Sequence, residues 1–331
     1  MKLTKTLTAM AMALAATTTS ASALDELVVA YFLEWPTPNQ FAQTEKLYTE
    51  ALGIPVKWVS FDAGTAMSAA MASGDVHISF SQGVTPFLVA TAAGQDLQVV
   101  DIAVSYSDND NCVVRSELEI DKDNAAAELP GKKVAVPLGT AAHSGFLAQM
   151  KHLGIDEASL NIVDMSPSDS AAAFGQPGTD LAMVCGWGGS LRAMKQHGNT
   201  IFSGAEKEAI VGQVFDVTSI PTAFGEENPD LLAKFLKVTA DMNAQYAADN
   251  SSMMDSISKA AGMDLEGTTA VINTFVFPTI EEQLSAKWLG GNVAEYFTNS
   301  AASLEASGKI KALGDYNAVI NTSFLEAASK M

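Results

Sequence analysis

The spacing of apolar positions changes period repeatedly along the chain, and those changes outline its elements. From residue 27 onward, short β-branched runs alternate with Ala-rich stretches of helix length. Residues 27–31 predict a strand. Thr37 then stands as an N-cap, with Pro38 at the first helical position, Gln40 completing a T-x-x-Q capping box and Gly53 closing the helix. A strand at 56–61, a helix at 65–73 stopped by Gly74 and a strand at 76–80 follow. Thr85 and Pro86 start the next helix, and 97–104 is a fourth strand. This is the βαβα rhythm of a parallel sheet with helices on its faces.

The polar run 105–111 breaks the rhythm, and a second α/β series begins. It predicts strands at 133–136, 161–165 and 181–185, with helices capped by Thr140 and by Ser166-Pro167. A strand-like stretch at 214–218 ends the series. Beyond Asn228-Pro229 the pattern is helical, at 231–248, 253–261, 268–275, 280–289 and 293–307, and Thr279 with Glu282 forms another capping box. One α/β lobe inserted in another accounts for this order: 24–110 and 216–331 form the first, 111–215 the second. Two crossings, near 108–112 and 214–219, then imply a hinged cleft.

The N-terminus sets a compartment. Lys2 and Lys5, an apolar run of about ten residues and Ala21-Ser22-Ala23 have the order of a cleaved secretory signal over residues 1–23. The expected product is a soluble periplasmic monomer. Nineteen Lys+Arg against 38 Asp+Glu, a net charge of −19, argue against nucleic acid or an anionic membrane as partner. Cys112 and Cys185 are the only cysteines, too few for a disulfide-dense scaffold. A single bridge between them and two separately buried thiols are both open.

Signatures of catalysis, metal or cofactor are missing, so no catalytic residue, metal or cofactor is expected. His77, His143, His152 and His197 do not make a zinc spacing, and Gly186-Trp187-Gly188-Gly189 fails the dinucleotide fingerprint because position 191 is Leu. Another constellation is more informative. Helix starts at Thr37, Thr85 and Thr140 follow strands closely, so their free N–H groups should line the carboxyl edges of the sheets, where an anion can bind with little help from Lys or Arg. For the opposite charge, Glu34, Trp35, Tyr106, Asp108, Asp110, Trp187 and Asp216 fall at strand ends. Carboxylates beside aromatic faces suit an ammonium group.

At these residues the chain resembles the periplasmic substrate-binding proteins of taurine, aliphatic sulfonate and nitrate ABC transporters, the taurine-binding branch most of all. The resemblance runs from about residue 27 to 235. It is carried by Val29-Ala30-Tyr31, Phe61-Asp62-Ala63-Gly64, Ala72-Ser73-Gly74-Asp75-Val76, Gly131-Lys132-Lys133-Val134-Ala135-Val136-Pro137 and Lys151-His152-Leu153-Gly154-Ile155. It implies a type II periplasmic-binding-protein fold that closes on a small zwitterion and docks on an ABC permease with its cytoplasmic ATPase. It also implies site residues: Ser81, Gln82 and Thr85 in the first lobe, Thr140, Ala141, His143 and Trp187 in the second, and Asp216 as the ammonium partner. A quaternary amine held by aromatics is the rival ligand. A pyrimidine-synthase branch of similar fold is the rival class, although its clustered cysteines are missing here.

Overall fold

The computed structural model describes residues 24–106, 108–212, 214–306 and 308–331. The expected signal segment, 1–23, lies outside the described residues. The rest folds into two α/β lobes, each around its own mixed sheet.

Strands β1 (Leu27–Tyr31), β2 (Val56–Ser60), β3 (Ile78–Gly83) and β4 (Leu97–Tyr106) build the first sheet. The second receives β5 (Asp110–Arg115), β6 (Lys133–Val136), β7 (Asn161–Asp164), β8 (Leu181–Trp187) and β9 (Gly198–Thr200). The chain then returns to the first through β10 (Val214–Pro221) and β11 (Phe275–Val276). The first sheet runs β11-β4-β10-β3-β1-β2 and the second β7-β6-β8-β5-β9. Each has a parallel βαβ core, β2-β1-β3 or β7-β6-β8, followed by one antiparallel strand placed there by a crossing. Strands covered on both faces read as unbroken apolar runs, which is why 27–31 and 181–185 were legible. Asp110 therefore opens the second sheet, and Val214 and Phe215 already belong to the first.

The expected break at 105–111 is narrower than its polarity suggests. Ser105 and Tyr106 stay in β4, and Asp110 and Asn111 pair with Trp187 and Gly186 of β8. Burying these polar residues is tolerated because Ser105, Tyr106 and Asn111 are hydrogen-bonded and Asp110 is ion-paired with buried Lys207 at 3.3 Å. The Asn111 amide donates to Phe202 O at 2.9 Å and accepts from the Cys112 N–H at 2.8 Å. Strands β5 and β9 and the Gly204–Val211 helix, with its Ser203–Glu206 capping box, escaped the sequence reading.

The two cysteines are joined. Cys112 and Cys185 face each other across β5 and β8 and form a disulfide that closes a span of 73 residues within the second lobe.

Two expected caps are corrected. The first helix starts at Asn39, with Pro38 in the N-cap position. The Thr37 hydroxyl bonds Asn39 Oδ1 and caps nothing, although its N–H still donates to Gln40 Oε1 at 3.3 Å. Thr85 lies inside the Val84–Ala92 helix, because extended Gly83 takes the N-cap position and Pro86 fits the first turn. Thr140 caps the Ala141–His152 helix as expected, its hydroxyl accepting from the His143 N–H at 3.4 Å.

Candidate functional site

Parallel strands point their carboxyl ends at one edge, so β1 and β3 deliver their following loops to one side of the first sheet. Strand β10 runs against β3 and brings its beginning to the same place, with Asp216 opposite Gly83. Strands β6 and β8 present Thr140-Ala141 and Trp187 from the second lobe. Where these edges meet, a pocket closes between the lobes, lined by Phe32, Trp35, Tyr106, Trp187, Asp216 and the starts of three helices. It encloses about 300 Å³ of empty space, of which about 20 Å³ is open to the centre of a water molecule. The pocket is narrow, with room for a few heavy atoms.

Asp216 is the chemical centre. Its side chain is 2 % exposed, with Oδ2 accepting from the Ser81 hydroxyl at 2.8 Å and Oδ1 from the Tyr106 hydroxyl at 3.0 Å. Burial pushes its carboxyl up to about 7. The hydrogen bonds from Ser81 and Tyr106 oppose that rise, and the Asp110 charge adds to it. A buried carboxylate with no cation on its oxygens is costly, and an incoming ammonium group offsets that cost. Ser81 serves two partners, since its Oγ also accepts from the Trp35 indole at 2.9 Å. It holds φ at 61°, in the left-handed region that few non-glycine residues adopt.

The opposite charge is built from backbone. Gly64, Gly83 and Ala141 line the pocket at the starts of the helices Gly64–Ser73, Val84–Ala92 and Ala141–His152. First-turn N–H groups lack an intrahelical acceptor and carry the positive end of the helix dipole. None of the three first turns contains an acid, in a chain with 38 of them. Close packing requires glycine at 64, where a Cβ would sit 2.6 Å from Pro86.

Of the eleven expected site residues, the pocket gathers Trp35, Thr140, Ala141, Trp187 and Asp216. Ser81 stands directly behind Asp216. Gln82 is fully buried and spent on structure, donating to Gly64 O and Ser68 Oγ and accepting from Ser219. The Thr85 hydroxyl bonds Ser144 of the second lobe at 2.9 Å, on the far side of the pocket wall. His143 is buried with Nδ1 accepting the Gly139 N–H at 3.1 Å, and burial pulls its pKa down. Glu34 is exposed on the rim, its carboxylate against Gly189, and Asp108 packs against Gly204. Glu34 and Asp216, both expected near an ammonium group, are thus not brought together on the pocket wall. Phe32, Gly64, Gly83, Pro86 and Tyr106 complete the lining. Tyr106 carried a sequence signal as an aromatic at the crossing, and Pro86 as part of an expected helix start.

Among the described residues no helix is long and apolar enough to cross a membrane, and no three His, Cys, Asp or Glu side chains are placed to hold a metal ion.

Comparison with known proteins agrees with this architecture. The chain is 27% identical over 299 residues to the taurine-binding periplasmic protein of Escherichia coli K12, covering 87% of this chain and 89% of that protein. It is 29% identical over 190 residues to a putative aliphatic sulfonates-binding protein of Bacillus subtilis, 57% of this chain and 55% of that one. The alkanesulfonate-binding protein SsuA of Xanthomonas axonopodis pv. citri, solved with MOPS bound, superposes with a TM-score of 0.74 at 18% identity over 91% of this chain and all of that one. The desulfurization enzyme DSZB shares the fold at a TM-score of 0.64 and 14% identity. The family profile described as NMT1/THI5 like matches residues 38–252, and the chain belongs to that family.

Proposed function

We propose that this protein is the solute-binding component of an ABC importer, exported to the periplasm, which captures a small aminosulfonate zwitterion of the taurine class. The proposal has it work as a monomer of two lobes hinged at the crossings, close over the solute and deliver it to a membrane permease with a cytoplasmic ATPase. The observation that carries the reading is Asp216, a buried carboxylate facing a closed pocket whose other polar groups are helix starts. A sulfonate accepts from several N–H groups at once, and the amine at its other end pairs with Asp216. The taurine-binding and putative sulfonate-binding relatives support the same class. No step of bond making is invoked.

A second reading is favoured by one feature: Phe32, Trp35, Tyr106 and Trp187 together surround the pocket. Aromatic faces hold quaternary ammonium groups by cation–π attraction of about 0.5–2 kcal/mol. Titration calorimetry of the mature chain with taurine, ethanesulfonate and glycine betaine separates the two. The aminosulfonate reading expects taurine to bind best, ethanesulfonate at least tenfold more weakly and betaine last. A preference for betaine would replace it with the aromatic cage.

A further inference from the structure

Behind the pocket lies a much larger groove between the lobes, with about 1240 Å³ open to the centre of a water molecule. The two spaces share a wall. Ala141 lines both, while Gly83 faces the pocket and Val84, Thr85 and Ser144 face the groove. The wall is thin because its residues are small: a Cβ on Gly83 would lie 3.5 Å from the Ala141 methyl. It is closed by the 2.9 Å hydrogen bond between the Thr85 and Ser144 hydroxyls, one from each lobe. The Asp216 carboxylate stands beside it, with Oδ1 3.7 Å from that Gly83 position. An amine held by Asp216 therefore has the wall as its neighbour. Beyond the wall, Leu147, Val211, Val214 and Phe215 give the groove apolar surface.

We infer that Thr85 and Ser144 form a size gate: the closed pair restricts the pocket to unsubstituted primary amines and excludes N-alkylated aminosulfonates, whose substituent would have to pass between the two hydroxyls into the groove. The gate determines specificity and rests on the aminosulfonate reading of the pocket. It assigns the groove a latent capacity for an alkyl tail, because the surface needed to bury one is already present.

The test uses the mature chain and two probes, taurine and N-butyltaurine, with affinities from calorimetry. Wild type should bind taurine and bind N-butyltaurine at least a hundredfold more weakly. In the Thr85→Ala/Ser144→Ala double variant, N-butyltaurine should gain at least tenfold while taurine changes by no more than about threefold. Thr85→Val, which removes the hydrogen bond but keeps the bulk, should still exclude N-butyltaurine. If the double variant does not fold, Ser144→Ala alone carries the same expectation with a gain of about threefold. Wild type accepting both probes equally overturns the gate and leaves the pocket reading standing. So does a folded opened variant that gains nothing for N-butyltaurine while still binding taurine. Wild type that binds no taurine removes the pocket reading and the gate together.

Discussion

The two lobes contribute to the pocket in different currencies. The first supplies two helix starts and, beside them, side chains fixed by other side chains: Trp35 bonds Ser81, Ser81 and Tyr106 bond Asp216, and Trp35 meets the Tyr106 ring edge-on at 4.9 Å. The second supplies mostly backbone, through the start of the Ala141–His152 helix and the turn after Trp187. That turn needs glycine, since Gly188 sits at φ +56° and a Cβ would lie 2.8 Å from Glu34 O. A hydrogen-bonded carboxylate can discriminate charge and shape, whereas helix N–H groups attract any anion that fits. Reading of the amine should therefore reside in the first lobe, while anion affinity is shared, with two helix starts in the first lobe and one in the second.

The largest expected effect tests whether the second lobe's backbone depends on its crosslink. Closing 73 residues, the Cys112–Cys185 disulfide should contribute about 4 kcal/mol by restricting the unfolded chain. Cys112→Ala/Cys185→Ala should lose that stability in urea titrations yet bind taurine within about twofold, because the bond lies inside one lobe. A large loss of affinity in the folded variant would mean that β5 and β8 need the bridge to place Trp187.

Next comes charge reading in the first lobe. Asp216→Asn keeps the shape and should weaken taurine at least tenfold, since a hydrogen bond to a charged group contributes about 1.5–3 kcal/mol and 1.4 kcal/mol is tenfold. Ethanesulfonate should lose little. The pH dependence has a definite sign. With its pKa pushed up to about 7 in the empty pocket, Asp216 is protonated below that pH and cannot pair with an ammonium. Taurine affinity should rise with pH up to about 7 and level off above, and Asp216→Asn should flatten the profile. Stability of the empty protein runs the other way. The folded state holds a proton that the unfolded carboxyl, with its ordinary pKa near 3.8, releases, so this group makes the protein less stable as pH rises from about 4 to 7. Melting curves of wild type and Asp216→Asn across that window isolate the contribution.

Ala141→Pro probes the second lobe's share of the backbone. Proline is accepted at the first helical position, and Thr140 before it is extended at φ −108°, ψ 174°, as the residue preceding a proline prefers. The substitution deletes one N–H at the pocket and should weaken taurine and ethanesulfonate alike by about tenfold, with the helix intact by circular dichroism. Unequal losses would show that the second lobe also distinguishes ligands.

The division between the lobes explains what the sequence made legible. Thr140 was readable because an N-cap has a local signature, and β1, β6 and β8 because buried parallel strands are largely continuous apolar runs. Asp216 emerged from its strand-end position and the family resemblance together. Glu34 satisfied the same local criterion, yet left-handed backbone at φ 55° and a 2.9 Å hydrogen bond from its N–H to Ala261 O hold it on the rim. Gln82 resembled a ligand residue in its loop, but three partners distant in sequence occupy its amide. Gly64 and Gly83 reach the pocket through tertiary packing, which no local pattern encodes. Strand β5 was hidden because its opening Asp110-Asn111 is polar and finds its partners in β8 and Phe202.

The smallest expected effect concerns the rim, where the lobes meet through exposed charges. Arg192 of the second lobe lies 3.7 Å from both Asp264 and Glu266 of the first, and Lys309 lies 3.3 Å from Glu157 across the other side. Under the proposed hinge closure, these contacts form as the lobes come together and so favour the ligand-bound form. Exposed pairs contribute about 0–1 kcal/mol and are screened by salt. Arg192→Ala should therefore weaken taurine by about two- to threefold at low ionic strength, and by nothing measurable at 1 M salt, where the Debye length is about 3 Å. The same variant should leave the preference for taurine over ethanesulfonate unchanged, because the rim touches neither Asp216 nor the helix starts. A change in that preference would mean that closure itself, through the angle between the lobes, sets how Asp216 meets the amine.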